Sequence, residues 1–285
     1  MTDKCESMSS MFAYCTKIKH LNLENFDTKL VYRMTSMFEN CESLESLNLT
    51  KFNTEILRQG SYMFRNCYSL RSLDLSNFNT PQLGDMKQMF YNCHSLEFLD
   101  ISKFETVIIR DMSYLFYNCT KLTDLNLDSF DVSSVTTMAH MFHYCSSLTN
   151  LNLQFFNTIY NRDYSYIFAN CTNLQKINIP MFNTENAYYF SNMFDYCSSL
   201  EEIDLTNFIT TSVTSMDYMF NGCSSLKVLD LSSFNTSNVL EFEGMLNDCF
   251  NLTLIINESI CKNMMPFIPD YVHINKTNNS IYYYI

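Results

Sequence analysis

The stretch Val213-Thr-Ser-Met216-Asp-Tyr-Met219-Phe220-Asn-Gly222-Cys223-Ser-Ser-Leu226-Lys-Val-Leu229-Asp230-Leu231-Ser-Ser-Phe234-Asn-Thr236 decides the reading of this chain, because it recurs along the whole sequence. Cys223 belongs to a column of ten: Cys15, Cys41, Cys67, Cys93, Cys119, Cys145, Cys171, Cys197, Cys223 and Cys249, every interval 26 residues. Phe220 and Phe234 head two more columns in the same phase, running back to Phe12 and Phe26. Leu226, Leu229 and Leu231 repeat Leu70, Leu73 and Leu75. Self-similarity at a fixed period of about 20–50 residues marks a solenoid or propeller and outranks local signals. Thr2 to Cys261 holds ten units of 26. The expected organisation is therefore a repeat solenoid over 1–261 and a divergent C-terminal cap or tail over 262–285.

Within a unit, apolar residues at 213, 216, 219, 220 and 223 have helical spacing. Ser9, Thr35, Ser61, Ser113, Ser165, Ser191 and Asp217 would be N-caps. Asn40, Asn66, Asn92, Asn118, Asn170 and Gly222 stand before the cysteine, where a left-handed residue would end a helix of about two turns. Leu229 and Leu231 then point one way and Asp230 the other, as in a strand with one buried face. The expected fold class is α/β, a single LRR-like solenoid of about ten strand-plus-short-helix repeats on a stacked parallel β-sheet. One unit alone has too few core side chains to offset the backbone entropy of ordering it, so stacking is what folds it.

The 285 residues are 47% hydrophobic and 15% aromatic, enough for a large core, and four Gly and four Pro exclude collagen-like or linker readings. A net charge of -12 opposes a nucleic-acid backbone, so no nucleic-acid partner is expected. No apolar run reaches the roughly 18–20 residues of a membrane span. Met1-Thr2-Asp3-Lys4-Cys5-Glu6 is followed by no apolar signal core.

The frame C-x-x-L-x-x-L-x-L-x-x-F is similar to the strand segment of leucine-rich repeats. The longer string V-x-x-M-S-x-M-F-x-N-C-x-S-L-x-x-L-D-L-S-x-F-x-T resembles the repeat of BspA-like leucine-rich repeat surface proteins, in the form first catalogued in mycoplasma lipoproteins. Residues 212–236 match almost throughout, and the resemblance runs from Thr2 to about Cys249. It implies cell-surface display and adhesion to host or matrix proteins, and it carries over no catalytic residues. Such proteins usually have a secretion signal and an anchor, neither of which is visible in this chain.

Each polar column has a functional and a plain reading. The cysteines lack the close spacing of zinc ligands, and parallel in-register side chains suit disulfides poorly; buried thiols at a corner are the expectation. The column Asn22, Asn48, Asp74, Asp100, Asn126, Asn152, Asn178, Asp204 and Asp230 reads as a solvated ladder, with weak calcium binding at Asp74/Asp100 and Asp204/Asp230 as the alternative. The single threonine rank from Thr28 to Thr236, broken by Val132, falls short of the double rank of ice-binding solenoids and reads as turn closure. His20, His94, His140, His143 and His273 share no column and read as surface residues. No phosphate loop, metal set, cofactor site or catalytic set emerges, and an enzyme is not expected.

Where the pattern breaks, candidate binding surfaces arise. Asn161 and Tyr164 replace core residues, and Tyr160, Arg162, Tyr166, Tyr188 and Tyr189 form an expected partner patch on the helix side. Arg71, Glu97, Phe98, Asp124 and Lys176 on the strand face offer the rival surface. Leu246, Ile256, Asn257, Pro266, Pro269 and Ile281–Ile285 read as the divergent cap. The repeat is in phase from Thr2, so the N-terminal edge is expected to be uncapped and to mediate self-association. The function read from these features is a non-enzymatic protein–protein interaction or adhesion module with a protein ligand; the alternative is a structural repeat that stacks end to end.

Overall fold

The computed structural model describes residues 2–276. The chain winds as a β-solenoid of parallel, stacked rungs. Short strands β1 (His20–Leu21), β2 (Ser46–Leu47), β3 (Ser72–Asp74), β4 (Phe98–Asp100), β5 (Asn150–Asn152), β6 (Lys176–Asn178), β7 (Val228–Asp230), β8 (Thr253–Ile256) and β9 (His273–Lys276) run along one side. They pair in three parallel groups, β1–β4, β5–β6 and β7–β9. Partners such as Leu73 and Leu99, or Leu151 and Ile177, lie one repeat apart. A second parallel ladder runs up the opposite side through Ser7, Arg33, Gln59 and Asp85, and through Asp111, Thr137, Asp163, Tyr189, Ser215 and Glu241.

The short helix expected in each repeat is absent from the repeats among the described residues, and the reason is visible in the backbone. Ser36 and Asn40 have φ of 55° and 59°, and the same two columns are left-handed in nearly every rung. Met37 N donates to Met34 O and Cys41 N to Phe38 O, closing turns whose third residue has positive φ, as a type II turn requires. The intervening amides of Ser36, Phe38 and Asn40 donate instead to Ser61, Met63 and Arg65 of the next rung. A train of such turns returns an apolar residue inward every three or four positions, which is why it has a helix's periodicity. The asparagine column does take the left-handed conformation, but in a turn and not at a helix end.

The core consists of continuous spines. Rings of the column from Phe12 to Phe220 stack with neighbouring centroids 5.3–5.7 Å apart. Cys67 Sγ donates to Phe38 O at 3.2 Å, and each later column cysteine does the same to the rung below. The threonines are buried and act as rivets between rungs. Thr210 Oγ1 accepts from Asn235 N at 2.7 Å and donates to Asn235 O at 2.9 Å. That corrects the turn-closure reading, since the hydroxyl bonds the next rung, not its own turn.

At the C-terminal end the offset between paired strands falls from 26 to 25 residues (Leu229 with Leu254), and the repeat frame gives way. Asn257 Oδ1 accepts from Ile260 N and caps α1 (Glu258–Met264), the α-helix among the described residues. A 3₁₀ turn containing Pro266 follows, and β9 then adds to β8. The expected tail segment Ile281–Ile285 lies outside the described residues. In the first rung Phe12, Cys15 and Phe26 are only half-buried, whereas their column mates are buried. No helix among the described residues is long and apolar enough to cross a membrane.

Candidate functional site

Strand alternation turns Leu73, Leu99 and Leu151 inward and leaves their neighbours in water. Of the strand-face residues singled out from the sequence, Arg71, Glu97, Phe98 and Asp124 are exposed on three successive rungs, and Lys176 is exposed two rungs further on. Phe98 pairs with Ser72, and Glu97 N donates to Arg71 O at 2.8 Å. Lys19 pairs with Glu45 at 2.9 Å and Lys227 with Glu201 at 2.5 Å across rungs. The Asn/Asp column mainly makes turns within its own rung: Asp74 accepts from Ser76 N and Asp204 from Thr206 N. The Ser76 and Thr206 side chains and amides hold both carboxyls below the usual range.

Further along, this face forms a concavity of about 610 Å³, lined by Asn150, Leu151 and Asn152, then Lys176, Ile177 and Asn178, then Glu202, Ile203 and Asp204. Here strand pairing lapses, because residues 202–204 join neither β6 nor β7. Ile177 and Ile203 replace the usual leucine and are half-exposed on the floor. Beside it Phe155 and Met181, 58% and 52% exposed, occupy a corner column that carries Lys51, Asn77, Lys103 and Ser129 elsewhere. The sequence reading passed over these two; a polar column turning apolar in adjacent repeats was the available signal.

The tyrosine patch on the other face divides. Tyr160, Arg162, Tyr188 and Tyr189 are exposed; the Tyr188 and Tyr189 rings lie 6.4 Å apart, and Tyr188 N donates to Arg162 O. Tyr164 is fully buried, its hydroxyl donating to Thr158 Oγ1 at 2.7 Å. Tyr166 instead ends a stack in which His140 lies 4.3 Å from Tyr114 and 4.5 Å from Tyr166. Two of the histidines are therefore not ordinary surface residues. His143 is buried, its Nδ1 is 2.9 Å from His140 Nδ1, and burial together with the His140 charge lowers its pKa to about 4. Arg65 lies over the Tyr62 and Tyr91 rings at 5.5 and 5.1 Å, continuing the aromatic stripe toward the N-terminus.

The family profile described as "Mycoplasma protein of unknown function, DUF285" matches residues 6–123, 84–202 and 162–276. The chain belongs to this family. The mycoplasma-type, BspA-like repeat that the frame resembles is thus upheld. This DUF285 chain is also similar to a leucine-rich repeat protein from Bacteroides ovatus, 16% identical with a TM-score of 0.42, over 95% of this chain and 86% of that one. A leucine-rich cell surface protein from Faecalibacterium prausnitzii is similar at 16% identity and a TM-score of 0.29, over 78% of this chain and 76% of that one. Nothing among the curated proteins matches significantly.

No catalytic family is indicated for this DUF285 solenoid. Its column thiols from Cys41 onward are buried: desolvation raises the thiol pKa to about 11 at Cys41 and about 12 at Cys93, Cys171 and Cys249. Cys5 is half-buried, its Sγ donating to Ser7 O, and the Cys261 side chain lies outside the described set. Among the described residues, no three His, Cys, Asp or Glu side chains gather as a metal site would require.

Proposed function

We propose that this solenoid is a non-enzymatic protein–protein interaction module of the adhesive kind that the BspA-like resemblance implies, and that its strand face meets the partner. One observation carries the reading. The inward columns repeat Leu, Phe and Cys almost without change, while the outward strand column reads His20, Ser46, Ser72, Phe98, Asp124, Asn150, Lys176, Glu202 and Val228. A constant interior with an exposed residue that varies along the rungs is what a surface carrying a specific address requires. Buried thiols with raised pKa values are not thiolates at neutral pH, which supports a binding role over nucleophilic chemistry. In this reading the repeats of 1–261 form the display body, and the described part of 262–285, as far as Lys276, closes its end. Paired substitutions on the two faces test it. Phe98→Ala with Glu202→Lys should abolish capture of a partner, and Tyr188→Ala with Tyr189→Ala should spare it; the opposite result transfers the site to the turn face.

End-to-end stacking is a second reading, favoured by the first rung, where Phe12, Cys15 and Phe26 are half-exposed. Light scattering that stays at monomer mass across a hundredfold range of concentration would exclude it.

A further inference from the structure

Rungs six to eight concentrate several departures in one place. The floor of the concavity is opened by Ile177 and Ile203, the corner beside it is made apolar by Phe155 and Met181, and the sheet is interrupted at 202–204. The corner substitutions forgo a bond that the fold elsewhere uses. In the same column Asn77 Nδ2 donates to Leu49 O and Phe52 O, and Asn207 Nδ2 to Pro180 O, tying rung to rung. Phe and Met have no such donor and place exposed apolar surface beside an apolar-floored depression, a combination that marks interaction sites. The charges are also uneven. Of Lys176, Glu202 and Asp204 in the lining, none is in an ion pair among the described residues, and the sum is negative. The Thr206 hydroxyl and amide keep Asp204 ionised.

We propose that the concavity at rungs six to eight seats an extended protein segment in which apolar and basic residues alternate. The apolar side chains would pack on Ile177, Ile203, Phe155 and Met181, and the basic ones would meet Glu202 and Asp204. An extended chain presents alternate side chains to opposite sides about 3.3 Å apart along its axis, so the apolar side faces the floor while the long, flexible basic side chains on the other side bend back to the acidic rim. The inference rests on the strand-face reading and adds to it the place and the chemistry of the partner.

The test uses the full chain and two fluorescent nine-residue peptides, one alternating Val and Lys, the other Val and Glu, read by anisotropy. The Lys peptide should bind, at least tenfold more tightly than the Glu peptide, and more weakly as salt rises. Glu202→Lys with Asp204→Lys should weaken it at least tenfold, as should Phe155→Ser with Met181→Ser; these positions are exposed, and unchanged melting curves confirm folding. Equal binding of both peptides overturns the charge assignment. Loss of binding in Arg71→Glu with Phe98→Ala, but not in the rung six-to-eight variants, overturns the location while keeping the strand-face reading. Loss only in Tyr188→Ala with Tyr189→Ala overturns both.

Discussion

In rungs three and four the corner after the strand carries Asn77 and Lys103, and the inward Leu73 and Leu99 beneath it are buried. In rungs six and seven the same corner carries Phe155 and Met181, and one strand further the inward position is a half-exposed Ile203. Yet the interior spine is the same in both regions. Phe90 stacks on Phe116 at 5.6 Å, and Phe168 on Phe194 at 5.3 Å. Cys93 and Cys197 each donate to the phenylalanine carbonyl of the rung below at 3.1 Å. The interior is constrained by its neighbours above and below, because any change there alters two interfaces. The outer face has no such neighbour and is free to differ.

That contrast can be broken most directly in the spine. Phe90→Ala and Phe168→Ala should each cost about 3–5 kcal/mol in urea unfolding, with the two values alike. A cost under about 1 kcal/mol at Phe168 would show that the second region is not built as the first.

Acid acts within the second region, in rung six. His143 has a folded pKa of about 4 against 6.5 when unexposed to the fold, so the unfolded chain takes up its proton first as pH drops. Its share of stability is intact above about pH 6.5 and is lost progressively to about pH 4, a change of about 3 kcal/mol. His143→Gln should flatten that part of the pH profile of melting; an unchanged slope would place the cause elsewhere.

The rivets separate the regions more finely. Thr106→Val removes a hydroxyl that donates to Asp131 O at 2.8 Å and should cost about 1–2 kcal/mol. Thr158 Oγ1 also accepts from the Tyr164 hydroxyl at 2.7 Å, so Thr158→Val should cost more by a measurable margin. Equal costs would mean that Tyr164 is satisfied by Asn183 O alone. Smallest of all, Phe98→Ser and Phe155→Ser should each move stability by under about 0.5 kcal/mol, since both rings are mainly in water.

Legibility followed the same division. Columns facing inward were readable from period and polarity, because burial forces one residue type at each rung. The Asn column before each cysteine was rightly placed at positive φ, but the helix inferred from the spacing of Met216, Phe220 and Cys223 was not there. Periodicity reports which residues face inward and not where their amides donate. His140 and His143 read as surface residues because they share no column in the repeat. Their partners Tyr114, Tyr117 and Tyr166 stand in the neighbouring rungs.

The 26-residue recurrence by itself determined that the chain stacks on itself, which residues line its interior and which face water. Only the three-dimensional structure decided that turns replace helices, that hydroxyls and thiols bond the adjacent rung, and that the strand face opens near Ile177 and Ile203. The reason is that inward or outward placement is a property of one unit, whereas hydrogen-bond pairing and surface relief belong to the contact between units.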